Sequence, residues 1–412
     1  MNAGERNRGR QTVAPGAVAG WLSPLAPLFH RLLDRIDAGL EVGAIEASLP
    51  DGRTRLLGGR RDGPVAIVDV RHWRALVRLA TGGSAGWYEA WAAGEWASPD
   101  PVPLFELFVR NRISLGQAGR ASALSKWGRM LLHWARRNSP RRARKNVAYH
   151  YDLGNDFYAP WLDAGMTYSA ALYTAPGMSL EAAQVAKLDA VLARTGARTG
   201  DTLLEIGCGW GSLAERAAAA GVTVHGVTLS DEQLAYARAR VPGASFALTD
   251  YRDVTGSYDA VASIEMVEAV GRAFWRDYLA TIARVLKPGG HAALQMIVID
   301  PAIFDAYRTN VDFIQSYVFP GGLLVCEPEF IALAEREGLA ATDRLAFGDS
   351  YATTLAEWRQ RFDRAVAEGR MPPEFDQEFI ALWRYYMMYC EGGFRGGGID
   401  VVQLTLVKEC ER

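Results

Sequence analysis

A doubly wound α/β fold behind a smaller α+β domain is the class this sequence predicts, and three observations predict it. From Asp201 onward short apolar runs alternate with helix-length segments, the signature of βαβ units and a parallel sheet. The first of those runs ends in a glycine-rich turn, EIGCGWG (205–211), that opens a helix. Before Pro103 the rhythm differs: brief helical stretches are interleaved with a Gly/Asp-punctuated strand pair.

Taken in order, residues 1–20 lack periodicity and read as a disordered leader. Residues 21–109 form the small N-terminal domain, with helices over Leu25 to Leu33, Trp73 to Leu79 and Trp87 to Ala93 and strands over Arg53 to Leu57 and Val65 to Val70. Residues 110–147 form a basic amphipathic linker, and 148–412 the catalytic domain. In the latter, strands are expected at Thr202 to Ile206, Val222 to Val227, Phe246 to Thr249, Ala260 to Ile264 and His291 to Ile299. Helices are expected at Ser212 to Ala220, Asp231 to Arg240 and Phe274 to Leu286. Two aromatic-rich helices between Leu355 and Cys390 precede a last strand, Asp400 to Val407.

With 49% hydrophobic and 22% charged residues the 412-residue chain is of ordinary globular composition, long enough for two or three domains. Four cysteines (Cys208, Cys326, Cys390, Cys410) make no CxxC pair and point to a reducing, cytoplasmic compartment. No signal peptide or membrane span is expected, and no metal site. The formal charge of −2 is an average over unlike parts. Between Leu107 and Tyr151 there is no acid but eleven bases (Arg110, Arg112, Arg120, Lys126, Arg129, Arg136, Arg137, Arg141, Arg142, Arg144, Lys145), so the remainder carries −13. Helical periodicity over 117–137 gathers Ala121, Leu124, Trp127, Leu131 and Trp134 on one arc and most cations opposite. Such a segment fits an anionic lipid surface, or packs on the N-terminal domain with a solvated basic face. The overall balance counts against nucleic acid as a partner.

The turn after the first strand carries Gly207, Gly209 and Gly211, which let the backbone approach a ligand closely at a helix start. Glu205, two residues before the first glycine, can bind the ammonium of S-adenosyl-L-methionine; a dinucleotide pyrophosphate would want no carboxylate there. Asp250 follows the third strand, in LTDYRD, where it can accept from an adenine amino group while Tyr251 stacks on the ring. VLKPGGH supplies a tight turn into a later strand. Together these point to a class I methyltransferase fold, a Rossmann-like doubly wound sheet.

The series HYDLGNDFY (150–158), MTYSAALY (166–173), LEAAQVAKLD (180–189), EIGCGWG (205–211), VTLSDEQ (227–233), DYRD (250–253), VEAVG (267–271), FPGG (319–322) and YCEGGFRGGGIDVVQ (389–403) resembles the cyclopropane fatty acid and mycolic acid cyclopropane synthases. The resemblance runs from about Ala148 to the end and more loosely through SAGWYEAWAAGEW. It implies methyl transfer from S-adenosyl-L-methionine to the cis double bond of an unsaturated phospholipid acyl chain, by an enzyme peripherally associated with the inner face of the membrane. A homodimer is left open. Cofactor contacts carry over to Tyr168 and Ser169 (methionine portion), Gly207 and Gly209 (turn), Thr228 and Gln233 (ribose side), and Asp250 with Tyr251 (adenine). His150 and Asp152 position a cofactor lid.

The family holds bicarbonate as the base, in a pocket of Cys, Glu, His, an Ile backbone and Tyr. Glu268, Ile297 and Tyr351 match three of these; Ala170 replaces the Cys and Gln295 the His. Gln295 keeps an NH₂ donor that can still orient an anion. Glu265, where several relatives have Gly, adds a second carboxylate on the same face as Glu268 if the segment is helical. Two nearby carboxylates disfavour a bound anion and raise one partner's pKa, which makes one of them a candidate base; otherwise Glu265 is a surface residue. Proton removal from the new methyl gives a cyclopropane, and removal from a carbon beside the cation gives a methyl- or methylene-branched chain. Cys390 matches a family cysteine with a candidate catalytic role, although a buried structural thiol accounts for it as well. The alternatives are a catalytically altered protein that binds lipid and S-adenosylmethionine, and a small-molecule methyltransferase. A DNA amino-methylating enzyme would carry an Asn/Asp-Pro-Pro-aromatic signature where SIEMVEAV stands.

Overall fold

The computed structural model of the chain describes residues 22–116 and 153–410. The expected leader, most of the basic segment 110–147, and His150 and Asp152 lie outside the described residues. Of those described, 22–116, 309–316 and 376–398 form one compact unit, and 153–308, 317–375 and 399–410 the other. The sequence suggests a single junction between an N-terminal and a catalytic part; the chain instead returns to the first unit twice.

In the first unit, α1 (Ala26–Gly39) precedes β1 (Val42–Ser48), β2 (Thr54–Gly58) and β3 (Arg61–Val70). Then come α2 (Arg74–Ala92), β4 (Trp96–Ala97) and α3 (Val102–Arg110). The sheet order is β2-β1-β3-β4. Its central strand, β1, was not legible: Ile45 and Ala47 point inward and Glu46 and Ser48 outward, but small residues blur the alternation. The expected helices Trp73 to Leu79 and Trp87 to Ala93 both fall in α2, which breaks into two helical stretches at Gly83 (φ 59°, ψ −141°). The later helix Gln377–Arg395 buries Tyr385, which packs against Tyr88, Phe105 and Phe313.

The second unit opens with α4 (Asn155–Tyr158) and α5 (Leu180–Thr195), whose first turn is capped by the Ser179 hydroxyl. There follow β5 (Thr202–Ile206), α6 (Ser212–Ala219), β6 (Thr223–Thr228), α7 (Asp231–Arg240), β7 (Ser245–Leu248), β8 (Tyr258–Ile264), α8 (Val267–Val270), α9 (Trp275–Val285) and β9 (Leu286–Ile299). Last come α10 (Pro301–Arg308), α11 (Glu327–Arg336), β10 (Leu339–Ala346), α12 (Gly348–Ala367) and β11 (Ile399–Lys408). The seven-stranded sheet runs β10-β11-β9-β8-β5-β6-β7. The five strands from β9 to β7 are mutually parallel, and β11 runs antiparallel to both of its neighbours, β9 and β10.

The expected doubly wound sheet is therefore present, closed by an antiparallel pair, β11 and β10, of which β10 was not foreseen. KPGG is no simple turn: it lies within β9, which pairs with β8 across a register shift. Both faces are packed. Leu203 joins the core with α5, α6 and α7, while its neighbours Leu204 and Ile206 join the one with α9 and α11. Strand order reverses between β5 and β8, and open sheets of this kind bind ligands at the carboxyl ends of the strands beside that switch.

Candidate active site

β5 ends at the switch point in the turn 207–211, where Gly207, Gly209 and Gly211 all have positive φ (82°, 51° and 83°). A Cβ at Gly209 would meet nothing within 4 Å, whereas one at Gly207 would press on Met266 Cγ at 3.1 Å. The turn thus leaves open space over Gly209 and a close backbone approach at Gly207. Just before it, Glu205 is buried, and its Oε2 has no hydrogen-bond partner. Burial pushes its carboxyl up to about 8, against the pull of the Lys187 ammonium and the Ala214 N–H. An orphaned buried carboxyl beside an open glycine turn fits the ammonium of S-adenosylmethionine, which would supply the missing partner.

Across the turn runs a strap, 163–170. Asp163 accepts from the N–H groups of Gly165 and Thr167, and Met166 sits at φ 54°. From α5, Gln184 Nε2 donates to the Ser169 carbonyl at 2.8 Å, and Lys187 Nζ donates to Ser169 Oγ at 2.7 Å. Tyr168 stacks on Trp358, ring centroids 5.3 Å apart. The remaining expected cofactor residues follow the strand ends. At β6, Thr228 Oγ1 donates to Gln233 Oε1 at 2.8 Å. After β7, Asp250 is bound by both Arg252 Nε and Nη2, at 2.8 and 2.5 Å. Tyr251 is edge-on to Tyr278 and under the Arg252 guanidinium.

The second half of the site sits where β8 ends. Glu265 does not share a helical face with Glu268, which corrects the expectation from their spacing. It stands in the turn before α8 with φ 49°, a left-handed conformation that favours glycine. The turn throws its carboxylate inward. Oε1 accepts from Ala170 N and Gln295 Nε2, both at 2.8 Å, and Oε2 from the Tyr351 hydroxyl at 2.9 Å. Three donors on one carboxylate exclude the surface reading.

Gln295 is in turn held by Gln403 Nε2, 3.0 Å from its Oε1. Its amide is therefore committed, and the anion it orients is Glu265. Glu268 Oε1 accepts from Ile297 N, while its Oε2 is buried without a partner. Burial first, and then Glu265, push Glu268 up to about 8; burial also raises Glu265, opposed by its donors and by Lys187. The pair cannot readily hold two charges. The three donors and Lys187 favour the charge on Glu265 over Glu268, which has one backbone donor from Ile297 and faces Glu265.

Ala170, Glu265, Glu268, Gln295, Ile297 and Tyr351 are thus one network. Cys390 is not part of it: it lies in the other unit, where burial and Asp312 push its thiol well up. The sequence reading missed Gln184, Lys187 and Gln403. Their signal was available in a Gln and a Lys at i, i+3 on the inner face of α5, and in a lone Gln in the apolar run VVQLTL of β11.

The model of the mycolic acid cyclopropane synthetase family matches residues 138–404. The chain belongs to that family. The tuberculostearic acid methyltransferase UfaA1 of Mycobacterium tuberculosis is 39% identical over 357 residues, 81% of each chain. The cyclopropane-fatty-acyl-phospholipid synthase of Escherichia coli strain K12 is 36% identical over 268 residues, 64% of this chain and 67% of that one. The crystal structure of mycolic acid cyclopropane synthase CmaA1 with S-adenosylhomocysteine and CTAB has a TM-score of 0.59 at 29% identity, covering 64% of this chain and 98% of the other. This protein is accordingly an S-adenosylmethionine-dependent methyltransferase of a family that modifies fatty acyl chains, and Glu205 with the open turn is the candidate cofactor cradle.

Proposed function

We propose that this enzyme methylates the cis double bond of an unsaturated phospholipid acyl chain using its own Glu265 as the base, and that the product is branched. The observation that carries the reading is the saturated Glu265 carboxylate. Bicarbonate does not fit here: the Ala170 amide, the Gln295 amide and the Tyr351 hydroxyl, the groups that would receive it, already serve Glu265.

Bound S-adenosylmethionine supplies an electrophilic methyl carbon. The alkene π pair forms the new C–C bond as the S–CH₃ bond breaks, leaving a carbocation on the acyl chain. The aromatic faces of Tyr168, Trp358 and Tyr351 are grouped within one cluster and can stabilise that charge. A proton then passes to Glu265. A carboxylate tethered by three donors is weaker and less free to approach the new methyl than a diffusible anion, which favours loss of a proton from a neighbouring chain carbon.

Phospholipid vesicles with cis-monounsaturated chains and trideuteriomethyl S-adenosylmethionine test this. A branched alkene formed by loss of a chain proton retains three deuterium atoms, whereas a ring retains two. A cyclopropane product alone overturns the branched reading, and cofactor binding without label transfer favours the catalytically altered one. Among the described residues no helix is long and apolar enough to cross a membrane. Access to a bilayer substrate is therefore assigned to surface docking, with the basic segment 110–147 as its anchor. Co-sedimentation with anionic but not zwitterionic vesicles is the expected result.

A further inference from the structure

Lys187 is a wholly buried lysine, 0% exposed, on the inner face of α5. A buried ammonium is rare without a compensating charge, yet among the described residues its ammonium hydrogen-bonds a neutral group, Ser169 Oγ. Burial pulls its ammonium down to about 8, and the charges that oppose this come from three separate elements. Asp163 lies on the strap, already held by backbone N–H groups; Glu205 is at the end of β5; Glu265 is in the turn after β8. Glu265 itself faces Tyr351 of α12, Gln295 of β9, Glu268 of α8 and the Ala170 N–H, besides Lys187. Through its carbonyl Lys187 also receives Gln403 Nε2 at 3.3 Å, and Gln403 holds Gln295.

We propose that Lys187 is a positioning residue with two duties: its hydrogen bond fixes the strap that brings Tyr168, Ser169 and the Ala170 N–H to the site, and its charge keeps the Glu265 carboxylate ionised for catalysis. The inference rests on the reading of Glu265 as base. It accounts for an ammonium among the three carboxyls Asp163, Glu205 and Glu265, because without it Glu265 would face Glu268 with no fixed cation nearby. A hydrogen bond alone would not need a charge, since a neutral amide could serve Ser169 equally well.

The test is the pH dependence of kcat on unsaturated phospholipid vesicles at saturating S-adenosylmethionine, for Lys187→Gln, Lys187→Met and Lys187→Arg. Lys187→Gln keeps a donor for Ser169 but loses the charge. Both neutral variants are expected to shift the acid limb up by about one pH unit or more, with rates about tenfold lower on that limb and converging on wild type at high pH. Lys187→Arg keeps the charge and is expected to leave the limb in place, and it carries the test if the neutral variants do not fold. A wild-type limb in Lys187→Gln, or a limb displaced in Lys187→Arg as far as in the neutral variants, overturns the proposal. Glu265→Gln, assayed alongside, separates the two ideas. If it turns over like wild type, the base assignment fails. If it is inactive while Lys187→Gln keeps its limb, only the role of Lys187 fails.

Discussion

The two halves of the active site are built on opposite plans. The proposed cofactor cradle is local: Glu205, Gly207, Gly209 and Gly211 lie within seven consecutive residues, with Glu205 Oε2 unpartnered and the space over Gly209 open. The base pocket is assembled from distant stretches (Ala170, Glu265, Gln295, Tyr351 and Gln403), and its polar groups are satisfied from within. One half waits for its partner, and the other has internalised it. If Glu265 is the base as proposed, the difference teaches that a site can keep its cofactor chemistry while changing where its base comes from.

The largest effect that sharpens this contrast is expected for Glu265→Gln. The variant should lose kcat by about 10³-fold, within the range for removal of a general base, with the KM for S-adenosylmethionine nearly unchanged. A comparable loss in KM rather than kcat would mean that the two halves are not separate. Glu205→Gln should do the reverse, raising the KM for cofactor by about 10- to 100-fold and lowering kcat little, because it removes an ionic partner worth about 1.5–3 kcal/mol. A pH readout accompanies it. Glu205 holds a proton up to about pH 8 in the free enzyme, so an incoming ammonium should release close to one proton near pH 7. Calorimetry in buffers of different ionisation enthalpy measures that release, and Glu205→Gln should abolish it.

What could be read from the sequence follows the same division. The cradle was legible because its signal is contiguous: strand, carboxylate, glycines, helix. Asp250 was legible as a residue, but its pairing with Arg252 was not anticipated. In the base pocket the sequence shows the substitutions, Ala170 for Cys and Gln295 for His, without showing what they make room for. That depends on the left-handed turn at Glu265, which aims the carboxylate at three donors from the strap, β9 and α12. Spacing alone suggested a shared helical face. Residues 309–316 and the helix Gln377–Arg395 carry no sequence mark that they fold with the N-terminal unit, because that membership is decided by packing between segments far apart in the chain.

A smaller effect is expected for Tyr351→Phe. It removes one of three donors to Glu265, worth about 1 kcal/mol, so kcat should fall by about fivefold and the acid limb should move to higher pH. An unchanged limb would mean that the tyrosine merely packs against Trp358.

The mildest change in stability belongs to Glu265→Gly, which tests whether the internal base was installed at a structural cost. Glycine relieves a left-handed conformation worth about 1 kcal/mol and removes one of two facing buried carboxyls. The sign of the pH dependence follows from the raised carboxyls. Glu268 is ordinarily near 4.5 when unfolded and about 8 when folded, so between those values the folded protein binds more protons than the unfolded one. Its stability should fall as pH rises through that window. With Glu265 gone, the like-charge contribution to Glu268 disappears, leaving burial, and the fall should be shallower. Urea unfolding at pH 5, 6.5 and 8 measures both effects. The same variant frees the Ala170, Gln295 and Tyr351 donors together, so its residual activity should rise with added bicarbonate while that of wild type does not. A variant neither more stable nor responsive to bicarbonate would mean that the donors serve Glu265 only as structure.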